Sequence, residues 1–150
     1  MSDINDLYQE LILDHNRRPR NFRRIEGAAR MAVGYNPLCG DRVTVYVEVE
    51  GDVVKDVSFE GSGCAISTAS ASLMSESLKG KTVTQAVSLF KKFHGLLTGK
   101  AAEDDEGPAL GKLKVFSGVG RFPARVKCAT LVWHTFDAAL RQKHEKVSTE

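Results

Sequence analysis

Asp41-Arg42-Val43-Thr44-Val45-Tyr46-Val47-Glu48-Val49-Glu50 is the stretch that decides the fold class. Val43, Val45, Val47 and Val49 alternate with Arg42, Thr44, Tyr46 and Glu48, the period-two pattern of a strand with one buried face. Gly51-Asp52 is a turn signal, and Val53, Val57 and Phe59 continue the alternation, so a hairpin is expected. Residues 28–35 predict a further short strand before it. Three strands then follow one another as an antiparallel meander.

The flanking patterns are helical. Ile4, Leu7, Tyr8, Leu11 and Ile12 recur at helical spacing, with Asp3 as the expected cap and Pro19 as the stop. After Gly61-Ser62-Gly63 a small-residue helix is expected from about Cys64 to Leu78, ended by Gly80. A second runs from about Val83 to Leu97, capped by Thr82 or Thr84. Residues 99–120 are weakly periodic and hold the acidic run Glu103, Asp104, Asp105 and Glu106, so a solvated surface excursion with at most a short helix is expected. Pro123 announces a last helix whose core stripe is Ala129, Val132, Trp133, Phe136 and Leu140. The order predicts an α+β fold, a three-stranded antiparallel sheet with helices packed on one face, formed as a single domain over residues 1–150.

Composition narrows the function classes. A chain of 150 residues with a net charge of +2 carries too little excess charge to argue for nucleic acid. The first residues lack an apolar signal-like run, and no apolar stretch approaches membrane-spanning length, so a cytoplasmic protein without a membrane role is expected. Three widely spaced cysteines suit ligands or reactive thiols better than a disulfide framework.

Those cysteines are the candidate site. Cys39 sits in a turn, Asn36-Pro37-Leu38-Cys39-Gly40-Asp41. Cys64 opens a helix, whose unpaired amides and positive dipole end suit an anionic sulfur ligand. Cys128 lies early in the last helix beside Arg125 and Lys127. Cys64 or Cys128 taken alone is equally well read as a small buried hydrophobe, a reading that fits Cys39 less because it lies in a turn. Together they form three corners of a tetrahedron, and Asp41 is the candidate for the fourth. His94 and His134 read as surface or satisfied residues. His15, within Asp14-His15-Asn16-Arg17-Arg18-Pro19-Arg20-Asn21, reads as part of a solvated, charged helix end.

These motifs, in this order and over nearly the whole chain, resemble the U-type iron–sulfur cluster assembly proteins, relatives of the NifU N-terminal domain. The IscU type has a histidine immediately before the third cysteine, where this chain has Lys127, a poor ligand when protonated. The stretch around 99–120 and Arg121-Phe122-Pro123-Ala124-Arg125-Val126-Lys127-Cys128 are similar to the SufU type instead. The resemblance implies that Cys39, Asp41, Cys64 and Cys128 bind zinc. It also implies sulfur transfer from a partner cysteine desulfurase to downstream cluster-assembly or acceptor proteins, a sulfurtransferase-like accessory activity. Cys39, on its turn, is the expected sulfur acceptor, freed when a desulfurase ligand enters the zinc sphere. Arg125 is a candidate for holding Asp41 or steering the partner, with Lys127 behind it. The alternative implied by the same family is a scaffold that holds iron or a transient [2Fe–2S] cluster on Cys39, Cys64 and Cys128. A structural zinc module is a third class, against which the absence of C-x₂-C pairs counts.

Overall fold

The computed structural model describes residues 3–27, 30–37, 40–98, 109–141 and 147–148. Its elements run α1 (Asp3–Arg17), β1 (Arg30–Asn36), β2 (Asp41–Glu50), β3 (Val53–Ser62), α2 (Ala65–Leu78) and α3 (Val83–Thr98). A 3₁₀ helix (Gly111–Arg121), α4 (Pro123–Leu140) and the two-residue β4 (Val147–Ser148) complete the order. The alternating stretch is the central strand, with β3 and β1 antiparallel on either side of it. The meander forms as its pattern requires, and β4 adds a short parallel pairing outside β1.

The inward residues Val43, Val45 and Val47 of β2, with Val57 and Phe59 of β3, are buried in one continuous core. α4 packs across β1 and β2, while α2 lies between α1, α4 and β3. Trp133 of α4 stacks on Phe93 of α3, with ring centroids 4.6 Å apart, and its indole N–H donates to Ser70 Oγ of α2 at 3.1 Å. Ser70 in turn donates to the main-chain oxygen of Ala129, so one hydroxyl joins the two helices that begin near Cys64 and Cys128. A reciprocal capping box opens α3: Thr82 Oγ1 accepts from Gln85 N at 3.1 Å, and Gln85 Oε1 accepts from Thr82 N at 3.0 Å. Among the described residues no helix is long and apolar enough to cross a membrane.

Two expectations are corrected. The second half of the 99–120 stretch is not a surface excursion, because Leu113 and Phe116 of the 3₁₀ helix are fully buried and Phe116 meets Phe93 edge-on at 5.7 Å. The acidic run 103–106 lies outside the described residues. At the end of α1 the charged residues Arg17 and Arg18 are exposed as expected, but His15 is not part of a solvated cluster. His15 is 1 % exposed, and its Nδ1 is hydrogen-bonded to Ser72 Oγ at 2.6 Å. Ser72 Oγ also accepts the Arg20 N–H at 2.8 Å, and Asn21 Nδ2 donates to Ser75 Oγ at 3.0 Å. Ser72 and Ser75 of α2 thus take up the His15 ring, the Arg20 N–H and the Asn21 amide, so these groups pack on the helix with partners. Burial, followed by the nearby Arg20 charge, pushes the His15 imidazole below its usual value and keeps it neutral.

Candidate metal centre

The first residue of β2 and the start of α2 meet at one end of the sheet. Asp41 is 1 % exposed. Its Oδ1 accepts the Cys64 N–H at 2.9 Å, and Oδ2 lies 3.8 Å from Cys64 Sγ. Cys64 is the N-cap of α2, with extended backbone, and its sulfur accepts the Ser67 N–H at 3.4 Å. A sulfur here does what a serine or aspartate oxygen does at most helix starts. The site therefore sits at the positive end of the α2 dipole, which favours a cluster of anionic groups.

Gly63 makes this approach possible. A Cβ built there would lie 2.9 Å from Asp41 Oδ1 and 3.1 Å from Ser67 Oγ, so only glycine leaves the carboxylate its place. Across the turn, Asn36 pairs with Asp41 at the end of the β1–β2 ladder, and its main-chain oxygen accepts the Gly40 N–H at 2.8 Å. Gly40 holds φ +73°, a left-handed conformation that favours glycine.

Cys128 reaches the same point from the second turn of α4, where it is buried. Asn36 Nδ2 donates toward its sulfur at 3.7 Å. The ligand atoms of Asp41, Cys64 and Cys128 all lie within 4.8 Å of one another. Bonds of about 2.0–2.3 Å to one tetrahedral ion need donors of this kind at comparable spacing. The donor set fits zinc: two sulfurs and a carboxylate, one sulfur already accepting a main-chain N–H and the other a buried side-chain amide. Cys64 is exposed while Asp41 and Cys128 are buried, so the cluster opens to solvent on one side.

Of the residues expected at the site, the fold brings together Asp41, Cys64 and Cys128. Cys39 lies outside the described residues, between Pro37 and Gly40. Arg125 is exposed, and its guanidinium carbon sits 4.8 Å over the Phe122 ring. Its described contact is with an aromatic ring, while Asp41 is engaged by the Cys64 N–H. Lys127 is half-buried, one residue before Cys128. Of the two residues that shape the cluster, Gly63 is legible in the sequence and Asn36 is not. Gly63 carries a signal, since glycine before a helix start permits close approach; Asn36 carries none beyond its place before Pro37.

The family model of the NifU-like N terminal domain matches residues 7–129. The chain is 39% identical over 142 residues to the zinc-dependent sulfurtransferase SufU of Bacillus subtilis (strain 168), covering 95% of each protein. It is 40% identical over 136 residues to the iron–sulfur cluster assembly scaffold protein IscU of Thermotoga maritima, covering 91% of this chain and 94% of that one. A crystal structure from Fervidobacterium islandicum AW-1, described as an iron–sulfur cluster assembly scaffold protein for the SUF system, superposes with a TM-score of 0.82. It is 38% identical, and the match covers 91% of this chain and 98% of that one.

Proposed function

Because the chain belongs to the NifU-like N-terminal domain family, we propose that it serves iron–sulfur cluster assembly as a zinc-holding sulfur acceptor. It takes persulfide sulfur from a partner cysteine desulfurase and passes it to downstream assembly or acceptor proteins. The observation that carries this reading is the convergence of Asp41, Cys64 and Cys128, whose ligand atoms lie within 4.8 Å of one another. With Cys39 as the remaining member, three thiols and a carboxylate would supply the four donors of a closed zinc site. When bound, zinc supplies a redox-silent positive charge that holds the thiolates deprotonated without oxidising them.

The residues divide the work. Asp41 and Cys64 hold the metal from element starts and Cys128 from the second turn of α4, braced by the Cys64 N–H on Asp41 and by the Asn36 amide at Cys128. Cys39, on the turn closed by Asn36 and Gly40, is the acceptor. Its thiolate attacks the outer sulfur of the desulfurase persulfide. A bond forms between Cys39 sulfur and the transferred sulfur. The bond from that sulfur to the desulfurase cysteine breaks, returning the enzyme's thiolate. Arg125 and Phe122, exposed at the start of α4, offer a guanidinium and an apolar ring to the partner. Desulfurase turnover measured with and without this protein tests the assignment. Stimulation by the native chain and none by Cys39→Ser is expected; full stimulation by Cys39→Ser overturns it.

A second reading, a scaffold that builds and transfers [2Fe–2S] clusters, is favoured by the 40% identity to a relative named as a scaffold. The SufU of Bacillus subtilis and the IscU of Thermotoga maritima both align over more than nine-tenths of this chain, so alignment length does not separate these two. Lys127 before Cys128 supports the sulfur-acceptor reading, since a protonated lysine offers no lone pair. Anaerobic reconstitution yielding a stoichiometric, transferable cluster on this chain alone would instead establish the scaffold.

A further inference from the structure

Asn36 is fully buried at the last residue of β1, and its Nδ2 is aimed at the Cys128 sulfur, 3.7 Å away. Its main-chain oxygen closes the turn on Gly40, the residue between Cys39 and Asp41. One residue therefore touches both Cys128 and Gly40, the neighbour of Asp41. A core amide directed at sulfur is a poor arrangement when the sulfur is a neutral thiol, which is a weak acceptor. It becomes a strong one when the sulfur is an anion, because a charge-assisted hydrogen bond is roughly twice as strong as a neutral one. The interior position sharpens the effect, since no water competes for the sulfur there.

We propose that Asn36 is a positioning residue of the metal centre. Its Nδ2–H donates to the Cys128 thiolate, fixes that sulfur toward Asp41 and Cys64, and draws electron density from it. This rests on the reading of Cys128 as a ligand, and on no feature of Cys39.

The test uses the full chain loaded with cobalt(II), which reports each thiolate through sulfur-to-cobalt charge-transfer absorption. Asn36→Leu keeps most of the volume and loses the donor; Asn36→Ala loses both volume and donor. Both are expected to move the charge-transfer band to lower energy, because the sulfur becomes a better donor. Both are also expected to weaken cobalt binding by about tenfold or more through lost orientation. A merely structural asparagine would leave the band position unmoved in the folded variants. Bands in both variants superimposable on the native one overturn the proposal. If Cys128→Ser leaves the native band unchanged, Cys128 is not a ligand, and the metal-site reading falls together with this inference. Where neither Asn36 variant folds, the native protein decides. Loaded with a spin-active cadmium isotope and labelled with nitrogen-15, it is expected to show scalar coupling between the metal and the Asn36 side-chain proton. Absence of that coupling overturns the proposal.

Discussion

Asp41 Oδ1 accepts the main-chain N–H of Cys64 at 2.9 Å, so the first residue of the central strand and the cap of α2 are joined before any metal is considered. The carboxylate thereby satisfies a helix-start donor while its second oxygen remains directed toward the Cys64 sulfur, 3.8 Å away. A carboxylate held in this way would need little reorganisation to bind a metal.

Asp41→Ala removes both the ligand and the acceptor of the Cys64 amide. Zinc affinity, measured by competition with a chromophoric chelator, is expected to fall tenfold or more, on the order of the losses seen when metal-site partners are removed. Unchanged affinity would take Asp41 out of the site. Asp41→Asn retains an acceptor for the amide but not the charge, and is expected to be folded yet weaker for zinc than the native protein.

Gly63→Ala places a methyl group 2.9 Å from Asp41 Oδ1. The carboxylate or the α2 start must shift, so thermal unfolding is expected to show a loss of about 1–3 kcal/mol, the usual cost of overpacking. Added zinc should recover less stability in this variant than in the native chain. Equal recovery would mean that the close approach of residue 63 does not matter to the metal.

Ser70→Ala leaves the buried indole N–H of Trp133 without its acceptor. A loss of about 1–3 kcal/mol is expected in denaturant titrations, the penalty for an orphaned buried donor. Trp133 is the one tryptophan of the chain, so its emission reports the change directly. Because Ser70 joins α2 to α4, zinc affinity should fall with stability in this variant.

His15 makes stability depend on pH. Burial first, and then the Arg20 charge, depress its pKa; Glu76 and Asp14 oppose the shift, and Lys112 adds to it. A depressed group binds fewer protons folded than unfolded. Its contribution is therefore fully present above the unfolded value of about 6.5 and is lost as pH falls from there through the folded value. Denaturant titrations from pH 7 to about 5 should show the native protein losing stability more steeply than His15→Gln. Parallel slopes would mean that His15 is not kept neutral by the fold.

How far the sequence reveals the molecule depends on how local each signal is. The period-two run of residues 43–49, the Thr82–Gln85 box and Pro123 act within a few residues, and strand, cap and helix start form where they point. The site was legible for a related reason: Cys64 advertises itself by standing at a helix start behind glycine. His15 was misread because its partner Ser72 lies 57 residues away, on a helix whose serines carry no label for what they will bind. The 3₁₀ helix was misread because Leu113, Val115, Phe116 and Val119 match neither helical nor strand spacing cleanly, yet all are buried. Asn36 becomes meaningful only through its approach to Cys128, 92 residues on, which no local pattern announces.

In the proposed transfer, a zinc-bearing protein accepts one sulfur atom on Cys39 while Asp41, Cys64 and Cys128 keep the metal. Native mass spectrometry after incubation with a cysteine desulfurase and L-cysteine reads both parts at once. The predicted mass is that of the chain with one zinc and one added sulfur, and peptide mapping places that sulfur on Cys39. A chain that gains no sulfur, carries it on Cys64 or Cys128, or holds a [2Fe–2S] cluster in place of zinc would rule out sulfur transfer through Cys39 on a zinc-bearing protein.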